Sequence, residues 1–268
     1  MTISYNRQIF SESLQALGIV EGDILFSHSN IGFFGFPEEG RTVDVACHVI
    51  LDAIFDVIGP TGTLVVPTFT YSFPKGQVFD PDMTPSNCGI FTEFVRSLPN
   101  ACRSEDPSIS VASIGQMAKL LTADAPENSY GSNCFFERFL EVGGKVCNMN
   151  FDAGSTFLHY VERKLKVPYR FDKSFEGIVV KRGNSYHRRS TLWVRYLSSD
   201  DTQAVFEPFD KLASQQGIYR RHRVGRGFIG VISAQDTFDL LRRTLPERPW
   251  ILTKAEQNGT FPKLIPEG

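Results

Sequence analysis

Asp23-Ile-Leu-Phe-Ser-His28, Val43-Asp-Val-Ala-Cys-His-Val-Ile-Leu-Asp-Ala-Ile-Phe-Asp-Val57 and Thr63-Leu-Val-Val66, met in that order, decide the fold class. The first is a short apolar strand. The second brings Val45, Ala46, Val49, Ile50, Ala53, Ile54 and Val57 back at helical intervals and is stopped by Gly59-Pro60. The third is an unbroken apolar run, the pattern of a strand covered on both faces. Strand, helix and strand in succession mark an α/β protein whose central sheet is sandwiched by helices.

The alternation continues outward from this unit. Residues 7–17 repeat Ile9, Phe10, Leu14 and Leu17 at helical spacing and stop at Gly18, a residue type that accepts a left-handed C-cap. Further strands are expected at 109–114, 145–149, 177–180, 192–197 and 228–232. Helices are expected at about 89–97, 133–142, 155–166 and 233–244, the last opening on Ser233-Ala-Gln-Asp236, a capping-box variant. No repeat, low-complexity tract or long linker divides the chain, so residues 1–268 read as one domain.

Composition removes several function classes. With 41% hydrophobic residues, 22% charged and a formal net charge of -2, the chain is globular and too evenly charged to suggest nucleic acid. Cys47, Cys88, Cys102, Cys134 and Cys147 are odd in number and form no C-x-x-C pair, so neither a disulfide framework nor a metal knuckle is expected. They fit reduced thiols in a cytoplasm. No signal peptide and no run of 18 apolar residues is present, so no membrane partner is expected.

In open α/β sheets ligands sit where strands end, so the loops after strands are the places to look for chemistry. After the first strand comes Ser27-His28-Ser29-Asn30-Ile31-Gly32, small and polar, with backbone amides able to meet a phosphate or a thioester oxygen. It carries neither G-x-G-x-x-G nor G-x-x-x-x-G-K-[ST], which argues against a dinucleotide site or a P-loop. The most telling motif follows Asn148: Ser155-Thr156-Phe-Leu-His159-Tyr-Val-Glu162. On a helix, Thr156, His159 and Glu162 share one stripe, so a base, a carboxylate able to orient it and a hydroxyl can meet beside one pocket. A neutral His is a suitable base at pH 7. An isolated H-x-x-E is more often a satisfied structural pair, and the motif gains weight only from its company.

That company is H-S-N-I-G, G-T-L-V-V-P-T-F-T, G-I-F-T-E-F-V-R, R-S-x-D-P-S-I-S-V-A-x-I-G, Y-G-S-N-C-x-F-E-R and S-T-F-L-H-Y-V-E, which block after block resembles the aminoglycoside 3-N-acetyltransferase family. The resemblance runs from about residue 24 to 162, with a weaker echo at Val224-Gly225-Arg226-Gly227. It implies a three-layer α/β/α sandwich with a central mixed, largely parallel sheet, and an enzyme that moves an acyl group from acyl-CoA to a sugar amine without a metal. By the same resemblance His28, Ser29, Asn30, Ile31, Gly32, Arg103, Ser104 and Ser110 are expected to contact CoA, and His159 to serve catalysis. Thr68, Tyr71, Glu105 and Thr156 are expected at the acceptor. A homodimer is left open.

One block departs from the family. Where R-S-x-H-P-x-x-S is usual, this chain has Asp106 in place of the His, preceded by Glu105. The change points to the acceptor, because Arg103, Ser104, Pro107 and Ser110 are kept. Asp106 is expected to hold the acceptor ammonium or act as a second base, the alternative being a turn carboxylate beside Pro107. From residue 181 to 226 there are ten Lys or Arg against four Asp or Glu, a balance suited to phosphates if those residues face the crevice. The resulting expectation is direct attack by a nucleotide-linked amino-deoxy sugar, with His159 as base and Glu162 as its orienting partner, in cell-surface polysaccharide (O-antigen) biosynthesis. Two alternatives stand beside it. One is an aminoglycoside 3-N-acetyltransferase of antibiotic resistance; the other is a Cys-dependent hydrolase or acyl-enzyme transferase using Cys88 or Cys134. A member that only binds is disfavoured by Thr156, His159 and Glu162.

Overall fold

The computed structural model describes residues 4–264. Its elements in chain order begin α1 (Arg7–Ala16), β1 (Ile24–Phe26), α2 (Val43–Ile58), β2 (Thr63–Pro67), α3 (Ile90–Arg96), β3 (Cys102–Arg103), β4 (Val111–Gly115), α4 (Ala118–Thr122) and α5 (Phe135–Glu141). They continue with β5 (Lys145–Met149), α6 (Phe157–Lys164), β6 (Arg170–Lys181), β7 (Asn184–Arg195), α7 (Glu207–Gln215), β8 (Arg220–Val224), β9 (Gly227–Ser233), α8 (Ala234–Thr244) and α9 (Lys254–Asn258).

Seven strands form one mixed sheet in the order β3-β4-β2-β1-β5-β9-β8. Its centre is parallel: β1 runs with β2, Ile24 opposite Thr63, and with β5, Leu25 opposite Lys145. The flanks are antiparallel, β4 on β2 and β9 on β5. Side chains alternate across this sheet with the strand period of two. Leu25, Leu64, Val66, Cys147 and Met149 face one core with Phe10 and Leu14 of α1, Ile50 and Ile54 of α2, and Phe91 and Val95 of α3. Phe26, Val65 and Val146 face the other with Leu121 of α4, Phe136 and Phe139 of α5, Phe157 and Val161 of α6, and Leu240 and Leu241 of α8. The α/β class with a helix-covered mixed sheet is therefore as the sequence indicated, and no described helix is long and apolar enough to cross a membrane.

The helix ends follow local chemistry. The Asn6 and Thr42 side chains cap α1 and α2 by accepting from Ile9 N and Val45 N, and Ser233 caps α8 by accepting from Asp236 N at 2.9 Å. Three expectations are corrected. The strands expected at 177–180 and 192–197 belong to β6 and β7, a 12-residue-per-strand hairpin that forms its own two-stranded sheet. Its alternating exposed residues, such as Lys173, Tyr186 and Arg189, diluted the apolar signal. The helix expected at 155–166 starts only at Phe157, with Thr156 as its N-cap. Strand β8 was hidden because Arg220-Arg221-His222-Arg223 is exposed along the sheet edge, where charge discourages pairing with another chain.

Gly115 closes β4 with φ 123°, and a Cβ there would lie 2.2 Å from the Gly62 carbonyl oxygen. Gly115→Ala should therefore destabilise the fold by roughly 2–4 kcal/mol, combining backbone strain with a backbone clash. Gly143, with φ 71° and nothing within 4 Å of its Cβ position, is the control and should lose only about 1 kcal/mol as Ala. Urea unfolding of both variants measures the difference, and equal losses would refute the clash at Gly115.

Candidate active site

The chain leaves β1 on both sides: α2 leads to β2 across one face of the sheet, and β5, the other neighbour of β1, leads into α6 on the opposite face. The loops after β1 and β5 thus diverge, and a crevice opens between them, as topology requires at such a reversal. A cleft of about 400 Å³ lies there, lined by Ser29, Asn30, Ile31, Gly32, Asn87, Cys88, Gly89, Ile90, Phe91 and Phe151. Ser29 and Met149 still pair as an isolated parallel bridge, and Asn30 N donates to Met149 O at 3.0 Å. Ile31 and Gly32 then open a short 3-10 turn, so their amides have no carbonyl of that turn to meet. Four of the five loop residues expected at CoA line this cleft, and His28 lies behind it.

Asn148 shapes the other wall. Its Nδ2 donates to the carbonyls of Asp152 at 2.6 Å and Gly154 at 2.8 Å, curling the chain back so that α6 can begin. The half-buried His28 has its Nε2 3.3 Å from Thr156 Oγ1, and the same nitrogen accepts from Thr156 N at 3.4 Å. Thr156 therefore joins the first loop to α6 instead of standing beside His159 on its stripe. Burial holds the His28 imidazole down to about 4, against the side chain of Asn148, which raises it.

One helical turn on, His159 Nδ1 lies 2.6 Å from Glu162 Oε2. The Glu162 side chain has no exposed surface, whereas that of His159 keeps 19%. Tyr169 OH donates to Glu162 Oε1 at 2.8 Å, and Arg170 Nε lies 2.8 Å from Oε2. The Nε–H of Arg170 is not aligned on the carboxylate, so this contact acts through charge, while Nη1 donates to Trp193 O at 3.3 Å. Burial pushes the Glu162 pKa up, but Arg170 and His159 outweigh it, and the carboxyl is held below the usual range. His159 is held below the usual imidazole range by burial first and Arg170 second, with Glu162 opposing. The resulting set is a carboxylate, a guanidinium and a neutral imidazole whose Nδ1–H points at Glu162, leaving the Nε2 lone pair free. The rings of Tyr130, 6.2 Å away edge-on, and Phe206, at 5.8 Å, wall it in.

The remaining expected residues are built into the frame. Thr68 and Ser110 have no exposed surface; Ser110 Oγ donates to Thr68 O at 2.7 Å, and Arg103 Nη2 donates to the same oxygen at 2.9 Å. Arg103 also donates to Pro81 O and Thr84 O and stacks over Phe79, so its donors are engaged within the protein. Ser104 Oγ accepts from Val111 N at 3.0 Å. Asp106 Oδ1 accepts from Ser108 N and Ile109 N, each at 2.8 Å, the turn-carboxylate arrangement. Glu105 pairs with Lys181 and accepts from Tyr186 OH at 2.8 Å, fastening the β6–β7 hairpin. Tyr71, at φ 53°, is 40% exposed, and burial of its hydroxyl end pushes its pKa up to about 12. The candidate thiols lack activation: burial raises Cys88 and takes Cys134 to about 11.

Sequence reading missed Tyr130, Tyr169, Arg170 and Phe206, which have no motif spacing to His159, and the cleft residues of α3 and its approach. The signal within reach was Gly89, a strand-loop glycine before an expected helix. A pH dependence follows from the two depressed imidazoles. The unfolded chain takes up protons below pH about 6.5 that folded His28 refuses until about 4, so this stability is whole above 6.5 and lost as pH falls toward 4. His28 alone should account for about 3 kcal/mol by this linkage. Urea unfolding at steps from pH 7.5 to 4.5 should show the decline; a flat profile would exclude a buried neutral His28.

A family profile described as aminoglycoside 3-N-acetyltransferase matches residues 28–246. The chain is 26% identical to aminoglycoside N(3)-acetyltransferase VII of Streptomyces paromomycinus, over 87% of this chain and 88% of the relative. It is 25% identical to aminoglycoside N(3)-acetyltransferase IX of Micromonospora chalcea, over 82% and 85%. The solved structure of aminoglycoside acetyltransferase AAC(3)-Xa superposes with a TM-score of 0.78 at 25% identity, covering 91% of this chain and 93% of that one. These relatives overturn the expected nucleotide-linked amino-deoxy sugar acceptor and the place in O-antigen assembly, and favour the aminoglycoside alternative. The enzyme class, an N-acyltransferase, stands. With a family profile that matches residues 28–246, most of its length, the chain belongs to the aminoglycoside 3-N-acetyltransferase family.

Proposed function

We propose that the chain transfers an acetyl group from acetyl-CoA to an amine of an aminoglycoside, by direct attack with His159 as general base. The observation that carries this reading is the 2.6 Å contact of His159 Nδ1 with the buried Glu162, which leaves Nε2 as the proton acceptor. As the C–N bond forms and the thioester C–S bond breaks, the amine proton passes to Nε2 and the thiolate leaves with a proton in turn. The amides of Ile31 and Gly32 are suited to the developing negative oxygen, being helical-turn donors on the cleft wall. Asp106 shapes its turn in this reading and takes no proton. The scattered free thiols fit a reducing cytoplasm.

An aminoglycoside is a polycation, and its ammonium groups need carboxylates. Asp152, next to the cleft residue Phe151, is the carboxylate proposed for this contact. Its Oδ1 accepts from Gly154 N at 2.8 Å, and Phe206, which flanks His159, packs against Gly154. Burial and the neighbouring Asp210 raise the Asp152 pKa, so a bound ammonium would stabilise its charged form. Arg221 pairs with Asp210 instead.

Incubation with acetyl-CoA and a panel of aminoglycosides, followed by mass spectrometry, should show addition of one acetyl group; absence of transfer to every member would sink the reading. His159→Ala should lower kcat by roughly 10²- to 10⁴-fold with CoA affinity nearly unchanged, and near-normal turnover would remove His159 from the mechanism. Asp152→Asn should raise the acceptor KM by about 10-fold while leaving kcat within a few fold, because it removes a charge-assisted contact to an ammonium that does not react. A KM unchanged in that variant would reassign the ammonium to another carboxylate.

A further inference from the structure

We propose that Arg170, the first residue of β6, is a positioning residue for acyl transfer: it sits on the same Glu162 oxygen as His159 Nδ1, so that a proton arriving on the imidazole meets a guanidinium as well as a carboxylate. The inference rests on the base role given to His159 above. Arg170 Nε and His159 Nδ1 lie 2.8 Å and 2.6 Å from Glu162 Oε2. The two nitrogens are therefore within about 6 Å of each other, a separation at which like charges oppose each other's ionisation strongly. The side chains of Arg170 and Glu162 are 7% and 0% exposed, so salt and water screen the contact little. Tyr169 OH donates to the other oxygen at 2.8 Å and keeps the carboxylate from turning away.

The other groups that face the ring bring no charge at the pH where it works. His28, after β1, stays neutral until about 4, and burial holds the hydroxyls of Tyr130, before α5, and Tyr169 well above their ordinary range. Phe206, before α7, has nothing to ionise. Glu162 and Arg170 are left in opposition, the carboxylate favouring a protonated His159 and the guanidinium disfavouring it. With Glu162 alone, the dyad would hold a proton at neutral pH and have no lone pair to offer. With Arg170 beside it, Nε2 is vacant at rest, and once protonated it is the stronger acid. The proton that Nε2 takes from the amine as the C–N bond forms is then the one the sulfur receives as the C–S bond breaks, so the transfer needs no outside acid.

Two pH profiles on the full chain test this: NMR titration of ¹⁵N-histidine, with His159 assigned by its loss in His159→Ala, and the acid limb of kcat/KM for acetyl transfer. In the wild type His159 should be mostly neutral at pH 6.5, with the proton on Nδ1. In Arg170→Gln its midpoint and the acid limb should both move up by at least about one pH unit, and Arg170→Lys, which keeps the cation, should hold both within about half a unit of the wild type. A merely structural role would lower kcat at every pH and move neither midpoint; that result would overturn the proposal and leave the base reading intact. If Arg170→Gln does not fold, the wild type and Arg170→Lys still decide: a wild-type His159 protonated at pH 7, or a midpoint in Arg170→Lys raised by a full unit, overturns it. Near-normal turnover in His159→Ala would sink the base reading and this proposal with it.

Discussion

A carboxylate with no exposed surface, Glu162, constrains everything around the reacting position. Buried and unpaired, it would cost several kcal/mol, so the fold must bring it partners or lose its charge. It brings three: His159 from the same helix, and Tyr169 and Arg170 from the start of the hairpin. Arg170 acts in two opposite senses. Its charge favours the ionised form of Glu162 and disfavours the protonated form of His159, so one cation keeps the carboxylate charged and the imidazole neutral. An imidazole that is neutral at rest and flanked by a carboxylate able to steady its protonated form suits the base role proposed for it.

The sheet decides where that assembly faces. Only the three central strands are parallel, and β1 is the strand whose neighbours are reached in opposite directions. Its following loop meets the loop after β5 through the Ser29–Met149 bridge and through Thr156, which bonds His28. The cleft wall and the helix that bears His159 are thereby joined rather than two loops in chance proximity. Within the same unit the Asn148 side chain bonds that of His28, which ties the end of β5 to the end of β1.

Much of this was legible in the chain, and the physical reason separates what was from what was not. The β1–α2–β2 unit, the helix at 233–244 with its Ser233 cap, and the His159–Glu162 pair all rest on local periodicity or i,i+3 spacing, which sequence displays directly. The hairpin showed only in its more apolar stretches, 177–180 and 192–197, because the rest of both strands is largely polar and part of its support comes from Glu105, 76 residues before Lys181. Arg170 and Tyr169 were invisible for the same reason: what makes them matter is proximity to Glu162, and nothing in Pro168-Tyr169-Arg170 announces it. Arg103 and Ser110 were expected at CoA, yet their donors hold Thr68, Pro81 and Thr84 within the protein.

The acceptor shows most sharply how charge can mislead when only counted. The expectation of a phosphate-bearing sugar stood on two legs: carboxylates at 105 and 106 free for a single amine, and a basic C-terminal third free for phosphates. Folding weakens both legs. Glu105 is paired with Lys181, one oxygen of Asp106 holds two backbone amides of its own turn, and six of the ten cations are already neutralised or bonded. A formal charge recruits a ligand only if the fold has left it uncompensated and within reach. Asp152, whose pKa is raised by burial first and by Asp210, against Gly154 N and Arg221, is the carboxylate proposed for an ammonium, and no tally of acidic and basic residues singles it out.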